Sequence, residues 1–250
     1  MKNILLTIIT SFTIIFSSFS QQLDTTSSST KEKKKFYQTR LFKAVIVPTA
    51  LIGYGASTIN GNGIYSSYDA QRDIKRLNFT RTHIDDYLQY APYAELALLN
   101  IFQIKCKNDF INTGLLILKS ELLLAAFTIP LKRLIRLERP DRRDPAQYQS
   151  FPSGHTAAAF LAASIVHKEY KDKSQWYGVG AYTLAASVGA FRMLNNRHWQ
   201  SDVFAGAGFG ILAVHLVYLT HKYRWGRNCE AMLIPTYDRG SLGFLMYKSF

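Results

Sequence analysis

The sequence predicts an all-α fold, a bundle of about six helices with a small β-hairpin at the C-terminus. Long apolar stretches of helical length recur between residues 41 and 223. Loops rich in Gly, Asn, Asp, Pro and charged residues separate these stretches. The chain has 250 residues and is 48% hydrophobic, so it is long and apolar enough to bury one core.

The six helices follow in order from these breaks. Pro48 and two glycines weaken the first helix, and Pro130 is expected to kink the third. The predicted bounds are about Leu41–Thr58, Ile84–Ile104, Phe110–Leu137, Ser153–Tyr170, Trp176–Leu194 and Ser201–Tyr223.

Both ends of the chain differ from this helical part. Positive charge at Met1–Asn3, an apolar run at Ile4–Phe16 and small residues at Ser18 and Ser20 are typical of a secretory signal cleaved after Ser20. An uncleaved anchor is the alternative, although the run is short for a membrane span. Near the C-terminus, two apolar runs flank Asp238–Ser241, which predicts a hairpin turn, with a disordered tail as the alternative. The predicted division is a signal peptide at 1–20, a polar linker at 21–40, a helical domain at 41–227 and a C-terminal hairpin or tail at 228–250.

The charge balance points to anionic partners. Thirty basic residues against 17 acidic ones give a net charge of +13, which suits nucleic acid, anionic lipid headgroups or phosphorylated substrates. The sequence has no zinc-finger, ribonucleoprotein or basic-zipper signature, so nucleic acid is disfavoured.

Two helical segments are suited to a membrane. Val203–Thr220 is nearly free of charge, and small apolar residues at Val179–Phe191 suit helix packing in lipid. We therefore expect a bundle embedded in, or lying against, a membrane, while a soluble protein remains open, as does pairing of Cys106 with Cys229.

The first candidate segment for chemistry is KRLIRLERP, Lys132–Pro140. Lys132 and Arg139 are seven residues apart, which places them on one side of a helix, two turns apart, before Pro140 ends it. Two converging cations can clamp an oxyanion, the arginine as a planar fork and the lysine as a point charge. The alternative is a solvated basic face, because further arginines lie close by at Arg133, Arg136, Arg142 and Arg143.

The second segment is PSGH, Pro152–His155. Ser153 is a good N-cap, and the helix that starts there presents free N–H groups that bind phosphate well. Gly154 lets an anion approach the backbone, and His155 is placed to face the same anion. An ordinary cap followed by a surface histidine is the alternative interpretation.

The third segment is RMLNNRHWQSD, Arg192–Asp202. His198 and Asp202 are four residues apart and are predicted to be neighbours on one helix face. A carboxylate that binds Nδ1 of a histidine leaves Nε2 free as base or nucleophile. Arg192 could reach the same pocket, although a pair that merely caps a helix is the alternative. Taken together, the three segments contain what phosphoryl transfer needs: cations, a helix start and two histidines.

These segments resemble the type-2 phosphatidic acid phosphatase and vanadium haloperoxidase superfamily over about residues 84–223. The family pattern is Lys, six residues, Arg-Pro; then Pro-Ser-Gly-His; then Ser-Arg, five residues, His, three residues, Asp. Every spacing matches, and Phe191 stands where the family usually has serine. The resemblance implies that His198 is the nucleophile, Asp202 orients it, and His155 protonates the leaving oxygen and then activates water. It further implies that no metal or other cofactor is required and that the phosphate is held by Lys132, Arg139, Arg192, Ser153 and the Gly154 N–H.

The resemblance implies a metal-independent lipid phosphatase that works through a phosphohistidine. Its substrate would be a phosphate monoester or diphosphate such as phosphatidic acid, phosphatidylglycerol phosphate, polyprenyl diphosphate or lipid A. Its place would be the inner membrane or periplasm, with the active site on the periplasmic side.

Three alternative functions stay open: a soluble acid phosphatase, a vanadium haloperoxidase in which His198 binds vanadate, and a member that only binds its ligand. A serine hydrolase using Ser153 is disfavoured because no G-x-S-x-G surrounds it. A zinc site from His155, His198 and Asp202 is disfavoured because its spacing is not a recognised one. Specificity is expected in the loops at 59–83 and 138–151.

Overall fold

The computed structural model describes residues 37, 39–63, 65–142, 148–223, 230–238 and 241–249. The chain divides into two compact units, Met1–Thr39 and Arg40–Phe250. The predicted signal peptide and nearly all of the predicted linker lie outside the described residues, and so does Cys229.

The second unit is helical, which confirms the predicted fold class. A short 3-10 turn, Ile59–Gly61, follows the first helix. Residues 230–249 form two strands that pair antiparallel, from Glu230 opposite Ser249 to Asp238 opposite Ser241. The described residues contain α1 Arg40–Ser57, α2 Ser67–Arg76, α3 Ile84–Leu88, α4 Ala91–Ile101, α5 Phe110–Ile135, α6 Gly154–Tyr170, α7 Gln175–Leu194, α8 Gln200–Thr220, β1 Glu230–Asp238 and β2 Ser241–Ser249.

The predicted number of six helices is wrong in two places. The segment 59–83, predicted as a loop, contains α2, which starts with a capping box: Asp69 N–H donates to Ser66 Oγ at 3.2 Å and Ser66 N–H donates to Asp69 Oδ2 at 3.2 Å. The predicted helix 84–104 is two helices, α3 and α4. Pro92 lies in the first turn of α4 and lacks the N–H that a continuous helix would need there.

Helix α8 forms the centre of the bundle and packs against α1, α5 and α6. It is buried almost all round, and its glycines let the neighbouring backbones approach. A Cβ at Gly206 would lie 2.6 Å from Ser153 O at the start of α6, and a Cβ at Gly208 would lie 2.7 Å from Pro48 O in α1. The starts of α6 and α8 therefore lie side by side, which positions the candidate site.

Two described helices, α5 and α8, are long and apolar enough to cross a membrane by length and composition. They differ in their surroundings. The most apolar 18-residue stretch of α8 is 61% buried inside the protein, whereas the corresponding stretch of α5 is 22% buried. Helix α5 therefore turns most of its apolar surface outward, including Leu118, Leu122, Ile129 and Leu134.

Candidate active site

The three predicted segments meet at one end of the bundle. Backbone hydrogen bonds join them: Ser153 N–H donates to Asp202 O at 3.0 Å, and Asp141 N–H donates to Asn196 O at 3.1 Å. The indole N–H of Trp199 also donates to Glu138 O at 2.6 Å. Residues far apart in the chain are thus held in one site by contacts that need no ligand.

His198 and Asp202 form a buried pair. Nδ1 of His198 lies 3.3 Å from Oδ2 of Asp202, and the two side chains are 1% and 0% exposed. The prediction that both lie on one helix face is wrong, because α8 begins at Gln200 and His198 precedes it. Asp202 instead lies in the first turn, where its Oδ2 accepts the backbone N–H of Trp199 at 2.8 Å. The carboxylate therefore caps α8 and holds the histidine at the same time.

Ser150 is a further partner of this carboxylate and was not predicted from the sequence. Its hydroxyl donates to Asp202 Oδ2 at 2.5 Å, and its own N–H donates to Leu137 O at 3.0 Å. Both Ser150 and Asp202 are fully buried. A serine two residues before a proline carries no signal in the sequence, because only the fold brings it to Asp202.

The surroundings of His198 keep its imidazole neutral. Burial lowers the pKa of His198 to about 4, although the hydrogen bond to Asp202 opposes the shift. The positive charges of Arg139 and Lys132 also lower the pKa of His198. At neutral pH the ring is uncharged, and with Nδ1 directed at Asp202 the lone pair is on Nε2. The tautomer follows from this contact.

The start of α6 has the features of an anion cradle. Ser153 is the N-cap, as predicted, and its buried Oγ accepts from Thr156 N–H at 3.5 Å. Gly154 is the first helical residue, and a Cβ there would meet no described atom within 4 Å. The start of α6 is therefore open at Gly154, and the N–H groups at a helix start are a general binding site for phosphate.

His155 and Arg192 both contact helix α3. Nε2 of His155 lies 3.2 Å from Asp86 Oδ1, and Nη1 of Arg192 donates to the same oxygen at 2.9 Å. Arg192 Nη1 also donates to Asp85 Oδ2 at 2.7 Å, and Asp85 accepts from Asn195 Nδ2 at 2.7 Å. Neither Asp85 nor Asp86 is among the site residues predicted from the sequence. Their signal was weak, two adjacent acids in a basic chain.

The guanidinium of Arg192 is fixed by its two aspartate partners and still has N–H groups that can donate to a ligand. Its side chain is 6% exposed, and its Nε is buried with no hydrogen-bond partner among the described residues. Burial lowers the pKa of His155 to about 4, with the charge of Arg192 as the second cause, while Asp86 and Asp85 oppose the shift. Both histidines are thus neutral before an anion enters.

Lys132 and Arg139 differ from the predicted pair on one helix face. Helix α5 ends at Ile135, because Arg136 adopts a left-handed conformation with φ 47°, so Arg139 lies in the non-helical segment that follows. Lys132 Nζ donates to Pro152 O at 2.7 Å and to Gln149 O at 3.0 Å. Lys132 therefore anchors the loop before α6, and the ammonium keeps a third proton for a ligand.

Phe191, the residue that departs from the family pattern, packs outward from this site. Its ring lies against that of Phe79, with centroids 6.1 Å apart. Phe79 belongs to the loop that was expected to influence specificity. The residue before Arg192 therefore joins α7 to the segment 59–83 through an aromatic contact.

The model of the PAP2 superfamily matches residues 113–226, a range that includes all eight predicted site residues. The lipid A 1-phosphatase of Porphyromonas gingivalis is 51% identical over 77 residues, which is 31% of this chain and 17% of that protein. The chain therefore matches less than a fifth of the length of this curated relative.

Two solved structures align with part of this chain. The crystal structure of Aquifex aeolicus LpxE aligns with a TM-score of 0.47 at 23% identity, over 61% of this chain and 94% of that one. The crystal structure of a transmembrane PAP2 type phosphatidylglycerolphosphate phosphatase from Bacillus subtilis aligns with a TM-score of 0.47 at 19% identity, over 71% of this chain and 99% of that one.

Proposed function

We propose, from the premise that residues 113–226 belong to the PAP2 superfamily, that the protein is a metal-independent lipid phosphatase working through a phosphohistidine. The observation that carries the proposal is the buried, neutral His198, held by Asp202 beside the open start of α6. A neutral imidazole with one nitrogen fixed is a nucleophile, and a helix start with cations is a phosphate site.

In the first step, the phosphate group binds at the start of α6. The Ser153 hydroxyl and the Gly154 N–H contact its oxygens, while Arg139, Arg192 and the remaining proton of Lys132 neutralise its charge. Nε2 of His198 attacks phosphorus, so a P–N bond forms while the P–O bond to the lipid breaks. His155, protonated in the presence of the dianion, gives its proton to the leaving oxygen. Asp202 stabilises the positive charge that develops on the nucleophilic ring.

In the second step, water replaces the lipid. His155, now neutral, accepts a proton from the water as its oxygen attacks phosphorus. The P–N bond breaks, its electrons return to Nε2 of His198, and inorganic phosphate leaves. The transferred proton restores the acid form of His155, which took its first proton from solvent when the dianion bound. When phosphate leaves, His155 returns this proton to solvent, so both histidines are neutral again.

A lipid phosphate is the substrate class that the molecule suits best. The matched relative is a lipid A 1-phosphatase, which makes lipid A-type phosphates the first candidates. Helix α5 has 26 residues. At about 1.5 Å per residue it is about 39 Å long, enough to cross the roughly 30 Å hydrocarbon core of a bilayer. An inner-membrane location, export directed by residues 1–20 and an active site on the periplasmic side complete the proposal.

The test is phosphate release in EDTA from phosphatidic acid, phosphatidylglycerol phosphate, polyprenyl diphosphate, lipid A and one soluble ester. We expect wild type to release phosphate fastest from one lipid, and His198→Ala to lose at least about 1000-fold in rate, because the nucleophile is gone. The matched control is His167→Ala, since His167 lies near the opposite end of α6 and outside the site.

The other outcomes separate the alternatives. Release from the soluble ester alone would indicate a soluble-type phosphatase. An unchanged rate in His198→Ala would contradict the phosphohistidine mechanism. No release from any substrate would favour a protein that only binds anionic lipid.

A further inference from the structure

The carboxylate of Asp86 lies between two groups that the proposed reaction uses. Its Oδ1 is 3.2 Å from His155 Nε2 and 2.9 Å from Arg192 Nη1, while its Oδ2 is 3.4 Å from His83 Nδ1. Asp86 belongs to α3, outside the three motif segments, and the family pattern assigns it no role. One carboxylate oxygen thus joins the proton donor to a cation of the phosphate cradle.

The site therefore contains two carboxylate–histidine pairs, and they use different ring nitrogens. Asp202 contacts Nδ1 of His198, deep in the core, whereas Asp86 contacts Nε2 of His155 and is 43% exposed. A carboxylate fixes the proton on the nitrogen that it contacts. In His155 this leaves Nδ1 as the atom that can exchange a proton with the leaving oxygen, just as the contact in His198 leaves Nε2 to attack.

The charges around His155 show why an acid partner matters. Burial and the cations Arg192 and Arg139 disfavour its protonated form, and among the described residues Asp86 and Asp85 favour that form. Asp85 is occupied, because Arg192 and Asn195 bind its two oxygens. Asp86 is the carboxylate that contacts the imidazole itself. Against the effect of burial, the hydrogen bond of His83 and the charges of Arg192 and His155 lower the pKa of Asp86, so it stays ionised.

We infer that Asp86 is a positioning residue for proton donation: it holds His155 through Nε2 and stabilises the imidazolium that protonates the leaving oxygen. The inference rests on the proposed function. In the step concerned, the Nδ1 proton of His155 moves to the lipid oxygen, which takes the electron pair of the breaking P–O bond. The ring becomes neutral, and Nε2–H stays directed at Asp86 throughout.

The test compares Asp86→Asn with wild type on two substrates that differ in the leaving oxygen. An alkyl lipid phosphate needs a proton as it leaves, whereas p-nitrophenyl phosphate releases a stable phenolate and needs little protonation. We expect kcat/KM to fall roughly 10- to 100-fold on the alkyl ester and by less than about threefold on the aryl ester. In the pH profile of kcat on the alkyl ester, the fall of the rate at high pH should begin at a lower pH. Without the Asp86 carboxylate beside it, His155 loses its proton more readily.

Two further variants make the result decisive. Asp86→Glu keeps the charge and should retain more activity on the alkyl ester than Asp86→Asn does. Asp73→Asn is the matched control, because Asp73 is similarly exposed, at 46%, and pairs with Arg76 at 3.2 Å on α2. Its rates on both substrates should equal those of wild type.

The inference would be overturned if Asp86→Asn lowered kcat/KM equally on both substrates, or if the fall of kcat at high pH did not move. Asp86 would then serve only to anchor Arg192. Inhibition of Asp86→Asn by orthovanadate shows that the variant is folded and that its anion site is intact. A wild type without His198-dependent release would instead overturn the proposed function. The two failures are therefore distinguishable within one set of assays.

Discussion

At the residue scale, one oxygen of Asp202 organises the nucleophile. Oδ2 receives the Trp199 N–H and the Ser150 hydroxyl and lies 3.3 Å from His198 Nδ1. A carboxylate with several donors cannot rotate, so the imidazole that it holds cannot rotate either. The direction of Nε2 is therefore set before any substrate arrives.

Ser150→Ala tests this arrangement. We expect kcat to fall roughly tenfold and the free energy of unfolding to fall by about 1.5–3 kcal/mol, because a buried carboxylate loses one donor. Ser187→Ala is the control, since the Ser187 hydroxyl only bonds Thr183 O within α7. Steady-state kinetics and denaturant unfolding in detergent measure both quantities. An unchanged kcat would show that the remaining contacts of Asp202, which include the Ser201 hydroxyl, are sufficient to hold its carboxylate.

At the element scale, the site depends on how closely α8 approaches α6. Gly206 lies against the carbonyl of Ser153, the N-cap of α6. Any side chain there pushes apart the helix that carries Asp202 and the helix that carries His155. The glycine is thus part of the cradle geometry although it contacts no phosphate.

Gly206→Ala should reduce both stability and activity. The new Cβ would lie 2.6 Å from Ser153 O, a distance that the backbone must relieve. We expect a loss of about 1–3 kcal/mol in unfolding free energy, together with lower kcat/KM. Gly114→Ala is the matched control, because a Cβ at Gly114 meets no described atom within 4 Å and should stabilise α5 by up to about 1 kcal/mol. Equal melting temperatures for the two variants would contradict the close packing.

The same scale shows what the sequence could and could not predict. The apolar helices were found because their burial leaves a composition signal, and Ser153 was found because caps follow local rules. Helix α2 was missed because it is polar, although its Ser66–Asp69 capping box was readable. Asp85, Asp86 and Ser150 could not be assigned, since their partners are distant in the chain and only tertiary packing brings them together.

At the scale of the whole molecule, the residues of the candidate active site and the exposed apolar surface lie in different regions. The cations and histidines lie at the end where α5 and α7 finish and α6 and α8 begin. The flank of α5 is apolar and exposed. The proposed substrate, a lipid phosphate, has the same two parts: a charged phosphate group and an apolar body.

The pH dependence of stability is a property of the whole molecule that reports on His198. Its folded pKa of about 4 is below the ordinary 6.5, so the unfolded chain binds more protons between these values. Stability should therefore fall as the pH falls through this window. From about pH 7 to about pH 5, wild type should lose about 2 kcal/mol more than His198→Gln. Unfolding curves in detergent at both pH values measure the difference, and equal losses would show that His198 is not buried neutral.

The double contact of Asp202, to the helix start and to the nucleophile, decides how an inactive form of the protein should be made for trapping substrate. Replacing Asp202 would remove the acceptor of the Trp199 N–H at the start of α8 along with the chemistry, because the same carboxylate oxygen contacts His198. Replacing His198 with a residue of similar size removes only the attacking atom. A crystallographic complex with intact lipid phosphate is therefore best sought with His198→Gln, in which the cradle keeps its shape.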